Sequence, residues 1–347
     1  MKYMGIDHHK QYFIADTMNS KGVRIKRDRV STDRHSIRSY ISQMNQEGDL
    51  SVVIEASYGW EYIYEEIKDL VKEIKVAHPL KTRAIAEARI KTDLIDAATL
   101  AHLLRSDLIP EAYAPSRETR DKKYLLRYRA SLVRIRTMLK NIVHAVLSRN
   151  HIESPGFRKL TDKFGKQGKA YMRALQLKGN DTEILQEYLD IIESIEGKIL
   201  KADRKIRETF RKDEICQLLE SIPGIGELSA VLIRYEIDDI DRFTSPAKLW
   251  SYAGLVPSTY SSGGRTYQGR ITKQGNRWLR WIMIEAAQSA ITKDPWFGEK
   301  FAKIEKRAGK KKAKVTVARK LLEIVYVLWK ERRPYYRKPV AVALGLL

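Results

Sequence analysis

The sequence predicts an α/β domain with a mixed sheet, followed by a mostly helical remainder. Three observations carry this expectation. The first hundred residues hold three short strand-like runs in succession and then alternate helical and strand-like patterns, the order of a mixed sheet flanked by helices. The middle of the chain holds two long stretches with apolar residues at alternating steps of three and four. The last third adds apolar helical segments around a Pro-Gly turn and a Gly/Ser-rich loop. With 347 residues there is room for two or three domains, and the shifts in pattern suggest 1–115, 116–212 and 213–347.

Taken in order, Tyr3-Met4-Gly5-Ile6-Asp7 is a short strand that ends in an acid. Residues 12–17 and 23–30 are strands joined through Asn19-Ser20-Lys21-Gly22, a turn composition. Residues 32–44 read as a helix capped by Thr32 or Asp33. Ser51-Val52-Val53-Ile54-Glu55 is a buried-type strand, again ending in an acid. A helix over 58–71, a strand over 73–78 and one helix over 84–104 complete the region. Next come the two seams. Leu125, Tyr128, Leu132, Ile135, Leu139, Ile142 and Val146 form the first; Leu185, Tyr188, Ile192, Ile195, Ile199, Ala202 and Ile206 form the second. Each is about three heptads of coiled-coil spacing. They can pack as a hairpin within one chain or pair between chains, since helices of this length need a partner. Residues 152–181 between them are less regular. Beyond 212, helices are expected over 277–291 and 315–329, with 306–312 as a basic connector.

Lys and Arg total 65 against 43 Asp and Glu, a formal charge of +22. The excess is concentrated: ten basic residues against two acids over 116–150, and 21 against six over 258–338. Such faces suit a polyanion, and nucleic acid is the expected partner. The single cysteine, Cys216, excludes an intrachain disulfide framework and a Cys-cluster metal site. No run of 18 apolar residues exists, so no membrane partner is expected, and the first residues hold no apolar signal core. A cytoplasmic protein is the expectation.

Four acids stand out. Asp7 and Glu55 end two strands, and Asp93 and Asp96 lie three apart on one helix face. If that face meets the strand ends, the four converge and require a counter-charge. Mg²⁺ is the natural cofactor, because it prefers oxygen ligands and keeps waters for a phosphate substrate. The ordered set is similar to the ribonuclease-H-like fold of Holliday-junction resolvases. His8 and His9 are expected to be polar neighbours of Asp7. Further on, Ile222-Pro223-Gly224-Ile225-Gly226 is a helix-hairpin-helix signature, in which Gly224 and Gly226 let backbone N–H groups approach a phosphate. Ser262 lies in a loop of small residues, with Arg265, Arg270, Lys273, Arg277 and Arg280 placed to hold a phosphate. Lys91, Lys310, Lys311 and Lys312 are further candidate nucleic-acid contacts.

Gly5-Ile6-Asp7-x-x-Lys10, Ile54-Glu55-Ala56, Lys91-Thr92-Asp93-x-x-Asp96-Ala97, the Pro-Gly hairpin, Ala253-Gly254-Leu255-x-Pro257, Ser262-Gly263 and Thr272-Lys273-x-Gly275 follow one another along the chain. The whole resembles the DEDD-type insertion-sequence transposases, the group that includes the pilin-gene invertase and the bridge-RNA-guided recombinases. The resemblance implies a resolvase-like domain, a coiled-coil insertion and a C-terminal transposase domain. It implies Asp7, Glu55, Asp93 and Asp96 as Mg²⁺ ligands, and Ser262 as a nucleophile that forms a covalent phosphoserine link to DNA, with Ser261 the neighbour most easily confused with it. It further implies a structured non-coding guide RNA that pairs with donor and target DNA, and dimers that join into tetramers with the metal site and serine from different subunits. His8-His9 depart from the smaller residues usual after the first Asp. A metal-only resolvase that uses water, or a non-catalytic nucleic-acid scaffold, are the alternatives.

Overall fold

A computed structural model describes residues 1–86, 92–152, 154–262 and 265–336. The chain forms two compact units that divide between Pro115 and Ser116. In the first, β1 (Lys2–His8), β2 (Tyr12–Asn19), β3 (Arg24–Ser31), β4 (Leu50–Glu55) and β5 (Glu73–Ala77) make one sheet in the order β3-β2-β1-β4-β5. The pairings β1–β2 and β2–β3 are antiparallel, while β4 runs parallel to β1 and β5 parallel to β4. Helices α1 (Arg34–Met44), α2 (Trp60–Ile67), α3 (Pro79–Ile85) and α4 (Asp93–Arg105) complete the unit.

Strand alternation sends Met4, Ile6, Val52 and Ile54 to one face, where they pack on Ile37 and Ile41 of α1 and Ile63 and Ile67 of α2. Val53 and Ala77 face the other way, against Leu100 and Leu104 of α4. Gly5 shares that second face, and α4 lies directly on it. A Cβ there would collide with the Ala97 carbonyl oxygen and stand 2.6 Å from the Ala101 nitrogen.

The single helix expected over 84–104 is corrected. Pro79 starts α3, which ends at Ile85, and α4 starts afresh at Asp93, with Thr92 as N-cap accepting from the Ile95 N–H at 3.3 Å. Lys91 lies outside the described residues.

In the second unit, α5 (Arg117–Arg149) and α8 (Asp181–Lys212) pack antiparallel as a hairpin within the chain. Leu132, Leu139, Val143 and Val146 meet Leu185, Leu189, Ile192 and Ile199, with Phe157 of α6 (Pro155–Arg158) and Met172 of α7 (Lys166–Arg173) closing the distal end. Arg129–Asp203 at 2.6 Å and Arg149–Asp181 fix the antiparallel register. The seam expected on α5 is corrected: Tyr128 and Ile135 are exposed, and Leu126, Val143 and Leu147 are buried instead. The face is rotated because α8, α6 and α7 crowd one side of α5, and Leu126 enters a second core.

That second core joins the proximal ends of the long helices to α9 (Glu214–Glu220), α10 (Glu227–Ile237), α11 (Pro246–Tyr252), a ribbon of β6 (Pro257–Ser262) and β7 (Arg265–Ile271), α12 (Arg277–Lys293), α13 (Pro295–Ala308) and α14 (Lys310–Glu331). The basic connector expected at 306–312 is corrected. Residues 306–308 end α13, Gly309 at φ 81° breaks the chain, and Lys310, Lys311 and Lys312 open α14 as an exposed first turn. No helix among the described residues is long and apolar enough to cross a membrane.

Glu236 is a fully buried charge of this core, beside the buried Lys123. It accepts from Arg127 at 3.0 Å and from the Asn276 amide at 2.8 Å, with Lys123 Nζ 4.0 Å away. Burial, offset in part by Glu236, pulls the Lys123 ammonium below its ordinary range. Glu236→Ala would remove the carboxylate that Arg127 grips and the larger of the two that offset the Lys123 charge. The expected cost is about 3–5 kcal/mol, read from chemical denaturation. A loss below about 1 kcal/mol would show that the network is not a mainstay of this unit.

Candidate active site

The N-terminal unit assembles a carboxylate cluster at one end of its sheet. The last paired residues of β1 and β4 are Ile6 and Ile54, so Asp7 and Glu55 follow side by side on adjacent parallel strands. By alternation both lie on the face that carries Gly5 and Val53, the face covered by α4. Asp93 and Asp96 occupy the first turn of α4, where carboxylates also complement the helix dipole. Burial raises the Asp7 carboxyl above its ordinary range; Asp93 and Asp96 push the same way, and His9 pulls back. The like charges are therefore close enough to feel one another.

His9, expected as a polar neighbour of Asp7, also reaches Asp93. Its Nε2 stands 3.2 Å from Asp7 Oδ2 and 3.0 Å from Asp93 Oδ2. That nitrogen is shut off from solvent yet makes no well-formed hydrogen bond. The cause is the tight turn after β1. The His9 N–H donates to the Tyr12 carbonyl at 2.9 Å, which folds His9 back over Tyr12 with ring centroids 4.7 Å apart. Tyr12 donates its hydroxyl to Asp93 Oδ2 at 3.2 Å. An Asp-His dipeptide at a strand end gives no sign of that turn. His8 points elsewhere: it packs against Gly59, which takes φ 80° at the start of α2.

Asp7, His9 and Asp93 each offer one atom to a group whose members lie within 4.8 Å of one another. Two carboxylate oxygens and the imidazole nitrogen between them, with Asp96 nearby and Glu55 on the adjacent strand, fit a divalent cation.

The C-terminal unit presents the serine. Ser262 is not in an irregular loop, as expected, but ends β6, opposite Arg265 in an antiparallel ribbon. Ser261 is turned to the other face, its hydroxyl 3.2 Å from that of Thr266. Arg265, Arg270, Lys273 and Arg277 are exposed on and beside the ribbon. Arg280 does a different job: it donates to the Ala253 carbonyl at 2.9 Å and is half-buried, so it ties α12 to the turn before β6. Gly224 also departs from expectation. It takes φ 88° between α9 and α10, but a Cβ there would run into the Ala286 carbonyl and stand 2.7 Å from the Ala290 nitrogen, so it serves packing on α12. Gly226, exposed at the start of α10, keeps open space around it.

A helix-borne Asp pair near strand-borne Asp and Glu is the arrangement expected of a DEDD-type DNA-cleaving and recombining enzyme, a class for which divalent metal use is implied. Residues 4–152 match the DEDD transposase model of the IS110 group, and residues 216–302 match the model for transposases of the IS116/IS110/IS902 family. The chain belongs to this IS110/IS116 family of transposases. It is 24% identical to "Probable family 20 transposase" of Pseudomonas aeruginosa over 298 residues, which covers 83% of each chain. It is 26% identical to the transposase for insertion sequence element IS1328 of Yersinia enterocolitica, which covers 82% of each. To the transposase for IS1111A of Coxiella burnetii it is 24% identical over 351 residues, 96% of this chain and 91% of that one.

Two outcomes test the cluster. Asp7→Asn removes a buried charge from between like charges, so the metal-free variant should melt a few degrees above the wild type, about 2–4 °C per kcal/mol gained. Added Mn²⁺ or Mg²⁺ should stabilise the wild type more than the variant, by mass action on a bound state. Equal shifts in thermal melts would remove Asp7 from the ligand set. Gly5→Ala should drive α4 off β1, with about 1–3 kcal/mol of destabilisation and weakened cation binding by calorimetry. An unchanged affinity would mean that α4 does not set the cluster.

Proposed function

We propose that this transposase cuts and rejoins DNA through a serine ester, and that a structured non-coding RNA selects its sites. The convergence of Asp7, Asp93 and His9 at the sheet end, beside Asp96 and Glu55, is the observation that carries the catalytic half of this reading. Asp7, Glu55, Asp93 and Asp96 would hold Mg²⁺, with His9 as a further donor. When bound, the ion supplies positive charge to the phosphate oxygens of the scissile phosphodiester. The carboxylates then serve as ligands, and Tyr12 orients Asp93 among them.

The Ser262 hydroxyl attacks the phosphorus and loses its proton to solvent water, which returns one to the leaving sugar oxygen. A new Oγ–P bond forms, the bond from phosphorus to the leaving sugar oxygen breaks, and the ester keeps its energy for rejoining. Exposure of the ribbon end and the basic side chains around it support this choice. Arg265, on the strand opposite, is placed to steady the charge that builds on phosphate. Ser261, engaged with Thr266, is the weaker candidate.

Family membership supports DNA as substrate. RNA guidance rests on the motif resemblance and on basic faces spread over α5, the ribbon and α14. Dimers that pair into tetramers across two DNAs rest on the same resemblance; the apolar seams of α5 and α8 satisfy each other within the chain.

A covalent-trap assay tests the reading. Protein is incubated with its element DNA and RNA plus Mg²⁺, then denatured and searched for protein on cut DNA. An adduct is expected for the wild type and lost in Ser262→Ala, while Asp93→Asn should lose both adduct and cleavage. Cut DNA without adduct in the wild type would replace the serine by water as nucleophile.

A further inference from the structure

We propose that Tyr260 and Tyr267 form a stacking platform for an unpaired base of the DNA strand that Ser262 attacks. This deepens, and rests on, the reading of Ser262 given above. The register of the ribbon sets Tyr260 opposite Tyr267 and Ser262 opposite Arg265. Alternation then places Tyr260, Ser262, Arg265 and Tyr267 on one face, and Thr259, Ser261, Thr266 and Gln268 on the other. The hydroxyl pair Ser261–Thr266 belongs to that second face.

The two rings are 68% and 65% exposed, and neither joins the core of the unit. Directly opposed residues on an antiparallel pair have Cβ atoms about 4.5–5.5 Å apart, so the two exposed rings stand as neighbours on one face. Ser262 lies two residues along the same strand, about 7 Å away.

Charge decides what fits there. From Pro257 to Arg280 every ionisable chain of acid or base type is basic: Arg265, Arg270, Lys273, Arg277 and Arg280, with no Asp or Glu. A pair of exposed aromatic rings on a basic segment suits a strand with anionic linkages and exposed π-faces. Bases in a duplex hide those faces, so the base must be unstacked, as strand exchange requires. DNA is favoured over RNA because the same face carries the hydroxyl assigned to DNA attack. The platform would hold the strand while Arg265 and Ser262 meet the neighbouring phosphate.

The test uses the full-length protein and a single-stranded DNA of about 12 nucleotides with 2-aminopurine at its centre, a length within the site sizes of stacking proteins. Wild type should quench the probe and bind it. Tyr260→Val with Tyr267→Val should lose the quenching and at least about tenfold in affinity. Tyr260→Phe with Tyr267→Phe should keep both, because the rings make the contact. Three results would overturn the proposal: the valine variant behaves like wild type, the phenylalanine variant fails as badly as the valine one, or only an RNA of the same sequence shows the effect. The readout involves no cleavage, so failure of Ser262 as nucleophile and failure of the platform are separate outcomes.

Discussion

The carboxylate cluster depends on how closely α4 lies against β1. Gly5 offers no side chain where the helix crosses, so the helix backbone itself contacts the strand. That approach sets the first turn of α4 beside the ends of β1 and β4. Asp93 and Asp96 then stand near Asp7 because of a missing methyl group several residues away, not because of any attraction among the acids. On the other face, Met4, Ile6, Val52 and Ile54 hold the strands in place against α1 and α2. Ordinary burial therefore pins the sheet, and one close contact aims the helix.

The cost of that arrangement is visible in Asp7. Burial and two like-charged neighbours disfavour its ionised form, and His9 offsets them only in part. Groups held this way contribute little to stability, and a cation among them would relieve the repulsion. His9 meets this arrangement at two points. Its nitrogen lies between two carboxylate oxygens, and its ring lies tilted against the tyrosine that donates to Asp93.

Much of this was legible in the sequence, for identifiable reasons. Strands β1, β2, β4 and β5 are short apolar runs bounded by turns or acids, a local pattern that burial then enforces. Asp7, Glu55, Asp93 and Asp96 could be named because each sits at an element end whose type the pattern fixes. Three features were not legible. The turn that folds His9 onto Tyr12 depends on a backbone hydrogen bond, not on residue type. The buried face of α5 depends on which neighbours crowd it, and heptad spacing allows more than one face. Gly224 looked like a phosphate contact because Pro-Gly turns serve that purpose elsewhere, whereas here the left-handed glycine makes room for α12.

The ribbon poses a harder question, since a two-stranded sheet is marginal by itself. Its base is held on both sides. The Thr272 N–H donates to Val256 at 2.9 Å, Arg280 grips Ala253, and Asn276 both caps α12 and reaches the Glu236 carboxylate. Tyr252 donates to the Glu236 carbonyl at 3.1 Å, so α10, α11 and α12 share one polar knot beneath the strands. Buried ion networks are weak sources of net stability compared with apolar packing. This one fixes the direction in which an exposed ribbon leaves the core. On the reading proposed above, a nucleophile at the tip of the ribbon would need that fixed origin more than a rigid tip, because the strand it meets would supply the remaining contacts.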